Sequence, residues 1–180
     1  MLSLEHLHEA SITLGLRDER ALAAIATDAD GAGAPRAIRH VEALSNEAAA
    51  DVLSCAMLAA LTHHTGVVEM VLFARDCREA EVALERVRTL VSAHLPATAS
   101  VVYNNREAFG AATTAEPPCR VTVRCFARNV RTLLGVGGHI MLVNFAGASA
   151  EDSAALNDLA SATAVVKYAR MLLYGTRVDE

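Results

Sequence analysis

The sequence predicts an α+β or α/β fold: a two-layer sandwich in which helices pack on a mixed sheet of about four or five strands that contains one βαβ unit. Three observations carry this expectation. Residues 67–74 form an apolar run that only Glu69 interrupts, the pattern of a strand buried on both faces. Immediately after it, Ala80, Ala83, Leu84, Val87, Leu90 and Val91 recur at three- and four-residue steps, with Arg78, Glu79, Glu81, Glu85, Arg86 and Arg88 between them. That is an amphipathic helix lying on a sheet. Residues 120–126 then alternate cleanly, Val121, Val123 and Cys125 against Arg120, Thr122 and Arg124, as a strand with one wet face does.

The βαβ unit is the organising stretch. Asp76 is placed to cap the helix after the first strand, and Leu95-Pro96 ends it, because proline cannot extend the hydrogen-bond ladder. Residues 99–103 supply the second strand, parallel to the first and reached by a right-handed crossover.

Toward the amino terminus, Leu4, Leu7, Ser11 and Leu14 share a helical face, with Ser3 as cap and Gly15 as terminator. A short second helix carries Leu22 and Ile25. The segment ATDADGAGAP, rich in small and turn-forming residues, is read as a loop and a seam. Residues 1–34 are therefore an N-terminal helical arm packed on a core domain of residues 35–180, with a single domain overall. Residues 36–44 are ambiguous between strand and helical turn. From Ser45 or Asn46 a helix runs to about His64, and 52–61 within it has no charge.

After the second strand, residues 104–118 read as a loop of about fifteen residues, long enough to serve as a lid. Residues 129–134 form a turn before GVGG, and 139–146 form another apolar strand. A last helix opens at Ser149 and continues to about Tyr174.

Composition narrows the function classes. With 180 residues, 53% hydrophobic, the chain is long enough to bury about 70% of its unfolded surface. No apolar run approaches the roughly 18–20 residues needed to cross a bilayer. The start, MLSLEHLHEAS, has no basic cluster and is not a targeting segment. The expected location is intracellular and cytoplasmic. The four cysteines show no CxxC spacing and are expected to be buried, reduced thiols. A formal charge of −5 argues against DNA and an anionic membrane as partners, and RNA is disfavoured too, since few aromatics are available to stack bases.

The motifs of the easy enzyme classes are missing: no GxGxxG, GxxxxGK[ST], GxSxG or HExxH. No cofactor is expected. Neither His6 with His8 nor His63 with His64 has a converging metal-ligand spacing, and Asp28 and Asp30 lack the rest of a calcium loop, so no metal is expected. The better candidates sit where the βαβ strands end. Arg75, Asp76, Asn104, Asn105 and Arg106 would emerge at carboxyl ends, where open α/β sheets bind ligands, and could hold a carboxylate or phosphate. Against this, Asp76 is an ordinary helix cap and the asparagines ordinary turn residues. A second candidate is the run Arg120, Arg124, Arg128 and Arg131, suited to an anion or an acidic partner surface. His139 could serve as an acid or base, although a lone histidine at a strand start is more often structural.

Two functions follow. The first is a non-catalytic subunit or interaction module that self-associates or docks on a protein partner, motivated by the apolar helices at 46–64 and 149–174. The alternative is an enzyme or receptor for a small anionic metabolite, a carboxylate or phosphate, at the carboxyl ends of the βαβ strands.

Overall fold

A computed structural model describes residues 2–16, 19–26, 37–41, 44–127, 138–144, 154, 158 and 170–174. The elements are, in chain order, α1 (Leu4–Leu14), α2 (Glu19–Ile25), β1 (Ala37–Val41), α3 (Asn46–His63), β2 (Gly66–Ala74), α4 (Cys77–Ala93), β3 (Ala99–Asn104), β4 (Ala108–Thr113), β5 (Cys119–Ala127), β6 (Ile140–Asn144) and β7 (Arg170–Tyr174). The fold is of the α+β class with a mixed sheet. The sheet has seven strands in the order β1-β7-β6-β2-β5-β4-β3, more than the four or five the sequence suggested.

Five strands, β1, β7, β6, β2 and β5, are mutually parallel, and β4 and β3 extend the sheet as an antiparallel hairpin. Parallel β2 is flanked on both sides, by β5 and β6. From Met70 to Ala74 both of its faces are buried as well, which explains the apolar sequence there. The two strands of the expected βαβ unit, β2 and β3, do run in the same direction, but β5 and β4 lie between them. Three strand spacings of about 4.8 Å put their carboxyl ends about 14 Å apart.

The main core lies between one face of the sheet and the helices. Val68, Met70, Leu72 and Ala74 of β2, Val121, Val123 and Cys125 of β5, and Ile140 and Leu142 of β6 pack there with α3 and α4. Helix α3 is wrapped by its own chain. Every residue from Ala49 to Leu61 except Asp51 is buried, Ser54 included, and α1, α4 and the sheet surround it. The Ser54 hydroxyl donates to the Ala50 carbonyl at 2.8 Å, so its burial leaves no polar group unmet. Asp51, at the surface end, takes a two-pronged grip from Arg86 of α4 at 2.5 and 3.0 Å, which fixes the two helices together and raises the Arg86 guanidinium further above its ordinary value. The enclosure of α3 removes one of the two helices that motivated an external partner. The sheet's other face is buried too around Val71, Phe73, Met141 and Val143.

The helix ends follow the sequence. Ser3, Ser45 and Asp76 cap α1, α3 and α4 by accepting from His6, Ala48 and Glu79 N–H groups. Gly15 closes α1 at a φ of 68°, a left-handed conformation that only glycine adopts without strain. Gly138 has a steric role instead. A Cβ there would lie 3.0 Å from the Glu69 carbonyl oxygen and 3.1 Å from Val71 Cγ2, which lets the chain enter β6 close alongside β2.

Two expectations are corrected. The loop expected over 104–118 contains β4, and the helix expected to run on to Tyr174 gives way to strand β7 over Arg170–Tyr174. Ala154 and Asp158 are helical, and the rest of that helix, like the loop at 27–36 and the turn before GVGG, lies outside the described residues. The ambiguous segment at 36–44 contains strand β1.

Three of the cysteines, Cys55, Cys119 and Cys125, are buried, while Cys77 at the start of α4 is exposed, against the expectation that all four are inside. Burial pushes the Cys55 and Cys125 thiols up to about 12, and raises Cys119 as well. Since the thiolate is the reactive form, a disulfide reagent at neutral pH is expected to label one thiol per folded chain and all four after unfolding. Fast labelling of a second thiol in the folded protein would contradict this packing.

Candidate ligand groove on the sheet

Side chains alternate along a strand, so Arg120, Thr122, Arg124 and Phe126 of β5 project from the face opposite α3 and α4. On one side their ladder neighbours are Ala108, Gly110 and Ala112 of β4, whose small side chains leave a trough. Tyr103 of β3 leans over Gly110, its Cβ 3.2 Å from where a Cβ on that glycine would stand. On the other side Glu69 of β2 lies opposite Thr122. Asn105 and Glu107, in the β3–β4 turn, close one end. The result is a groove of ≈ 360 Å³ lined by Glu69, Tyr103, Asn105, Glu107, Ala108, Arg120, Thr122, Arg124 and Phe126.

Its charges are ordered rather than scattered. The Arg124 guanidinium stands 4.0 Å from the Glu69 carboxylate and 5.8 Å from the centre of the Phe126 ring, over its face, an orientation favoured by the ring quadrupole. Phe126 is in turn stacked on Phe73, with ring centres 5.7 Å apart. Glu69 is held through its backbone: its N–H donates to His139 Nδ1 at 3.0 Å, and its carbonyl accepts from the His139 N–H at 2.7 Å. His139 thus acts as a clamp between β2 and the entry to β6, in keeping with the structural role weighed for it.

Asn105 builds the turn. Its Oδ1 accepts from the Glu107 and Ala108 N–H groups at 2.9 Å each, and its Nδ2 donates to the Tyr103 hydroxyl at 2.9 Å. Its carbonyl accepts from Arg88 Nη2 at 2.8 Å. These bonds make the groove wall rigid without using up Arg120 or Thr122.

The structure therefore joins Asn105 from the first candidate set to Arg120 and Arg124 from the second. The other members of the first set lie elsewhere. Arg75 pairs with Glu79 at 2.9 Å and lies 3.9 Å from Asp76. Asp76 caps α4. Asn104 ends β3 opposite Phe109, and Arg106 pairs with Glu81 on the surface of α4. Arg128 and Arg131 lie outside the described residues. Among the described residues no cluster of His, Cys, Asp and Glu is placed to hold a metal, and no helix is long and apolar enough to cross a membrane.

Sequence reasoning missed Glu69, Tyr103, Glu107 and Phe126. It also missed a polar contact at the strand ends: Asn144, buried at the end of β6, donates to Asn46 Oδ1 at the start of α3 at 2.8 Å. Strands β2 and β6 are neighbours whose onward connections lead to opposite edges of the sheet, so this pair sits at a topological switch point.

No protein-family model and no curated protein sequence matches the chain. Solved structures do. The ATPase domain of the large terminase of Thermus phage P74-26 superimposes with a TM-score of 0.60 at 15% identity, over 94% of this chain and 69% of that one. The large terminase of bacteriophage HK97 gives 0.56 at 12% identity, over 88% of this chain and 32% of that one. At such identity the likeness is one of fold alone. It nevertheless corrects one expectation. Exclusion of DNA rested on the net charge of the whole chain, and a chain folded like phage large terminases is not excluded from nucleic acid on that ground. Net charge is a sum over the surface, whereas an arginine-bearing strand face acts locally.

Proposed function

We propose that this chain is a non-catalytic binding module, built on the sheet of an ATPase-domain fold, that takes a small anionic ligand in the groove between β3 and β2. The observation that carries this reading is the convergence of Arg120, Thr122 and Arg124 with Asn105 and Tyr103 on one trough of ligand size. Guanidinium groups bind carboxylate and phosphate through charge-assisted hydrogen bonds, and Tyr103 and Phe126 offer flat surfaces beside them. Against nucleotide hydrolysis stands the sequence itself. It has no glycine-rich loop ending in Gly-Lys, and its one lysine, Lys167, follows no glycine, so the residues that usually cradle phosphates in such folds are missing. A cytoplasmic setting belongs to the same proposal and is supported by cysteines without disulfide partners.

The test is thermal denaturation with inorganic phosphate, pyrophosphate and citrate as probes. A probe at about one hundred times its Kd stabilises the fold by about 2.7 kcal/mol, a rise of several degrees for a chain of this size. Arg120→Ala and Arg124→Ala should each abolish that rise, while Arg78→Ala on the opposite side of the sheet should keep it. Absence of any shift, or a shift that survives both groove variants, would sink the reading.

A further inference from the structure

Resting on the anion-binding reading of the groove, we propose that its ligand is an extended zwitterion, a short peptide with free ends, held by Arg120 at the anionic end and by Glu107 at the cationic end. Both side chains line the groove, and among the described residues neither makes a hydrogen bond or ion pair. The charges between them are already matched, since Arg124 stands 4.0 Å from Glu69. Arg106, the sequence neighbour of Glu107, pairs with Glu81 instead. The groove therefore offers a ligand one positive charge and one negative charge, at opposite ends.

The strand ladder sets how far apart these charges stand. The Glu107 carbonyl accepts from the Cys125 N–H at 3.0 Å, and the Glu107 N–H donates to Asn105 Oδ1 at 2.9 Å. Its backbone is thus fixed beside Cys125, and only its carboxylate is left over. Arg120 lies near the other end of β5, opposite Ala112. At about 3.4 Å per residue, the two Cα positions are about 17 Å apart along the strand. The two side chains reach inward and shorten that span.

A phosphate ion meets only one end of such a groove. A longer ligand with negative charge throughout would bring like charge against Glu107, which is costly. An ammonium there gains a carboxylate partner instead. Thr122 stands between the two ends on β5, and its hydroxyl is likewise without a partner among the described residues. It can bond a polar group in the middle of the ligand, so a peptide is matched better than an alkyl chain. An extended peptide covers at most about 3.5 Å per residue, so about three or four residues bridge the two side chains.

Calorimetric titration of the full chain at pH 7 and low salt, with tetraglycine, N-acetyl-tetraglycine and pyrophosphate as probes, tests the proposal. Tetraglycine is expected to bind, and acetylation of its amine should weaken it about tenfold, the loss of one charge-assisted hydrogen bond. Glu107 is exposed, so Glu107→Gln is expected to fold as the parent does. It should weaken tetraglycine by a similar factor, yet leave pyrophosphate at least as tightly bound. Arg120→Ala should weaken every probe. Pyrophosphate binding without tetraglycine binding would overturn the zwitterion and leave the anion site standing, as would a tetraglycine affinity indifferent to acetylation or to Glu107→Gln. Binding of no probe at all would remove both.

Discussion

Ala56→Arg is expected to leave no folded protein. Ala56 lies mid-way along α3, fully buried, with α1, α4 and the sheet around the helix. An arginine there has no route to water and no acidic partner nearby on the helix, since Asp51 is already engaged by Arg86. Burying an unpaired charge costs several kcal/mol after all relaxation, and overpacking adds to it. Against a total stability of about 5–15 kcal/mol this is decisive. The same change at Thr62, exposed near the end of the same helix, should alter stability by no more than about 0.5 kcal/mol. Urea titration followed by circular dichroism separates the two outcomes. A folded Ala56→Arg protein would mean that α3 keeps a face for something outside the chain.

Phe73→Ala is expected to cost about 3–5 kcal/mol, the usual price of deleting a fully buried aromatic ring. Phe73 is completely enclosed and stacks on Phe126, which in turn lies under the Arg124 guanidinium. The cavity therefore undermines the floor of the groove as well as the core. Anion binding should weaken with it even under conditions where the variant remains folded. Phe126→Ala makes the contrast. That ring is only half-buried, so its loss should cost less stability while still freeing Arg124. Calorimetric titration with pyrophosphate, alongside denaturant curves, distinguishes the effects. If Phe126→Ala binds as the parent does, the stacked column does not position Arg124.

What could be read from the sequence is what local period and capping determine. β2, α4 and β5 were legible because apolar spacing differs so plainly between strand and helix, and Ser3, Ser45 and Asp76 marked helix starts by their own hydrogen bonds. β4 was not legible. Its sequence, AFGAAT, has the small residues that strands generally avoid; they are tolerated because Phe109 anchors the core and Tyr103 covers Gly110. β7, RMLLY, is a short apolar run at the end of a helical pattern, and period alone cannot separate a buried strand from a helix there.

The groove was half legible for a related reason. Alternation put Arg120, Thr122 and Arg124 on one face, but that Glu69 and Asn105 border them depends on strand order. Strand order is a property of long-range pairing, which no window of sequence contains. The carboxyl-end candidates belong to strands that run the same way but are not neighbours, since β5 and β4 stand between β2 and β3.

The parallel pairing of β1 with β7, Ala37 beside Arg170, has a kinetic consequence. Until the last strand has been made, β1 has no neighbour in the sheet, and the strand following it in the chain order of the parallel set, β2, lies on the far side of both β7 and β6. Loop closure over so much chain is slow relative to hairpin formation. Synthesis thus yields the β3–β4 hairpin early and seats β1 last.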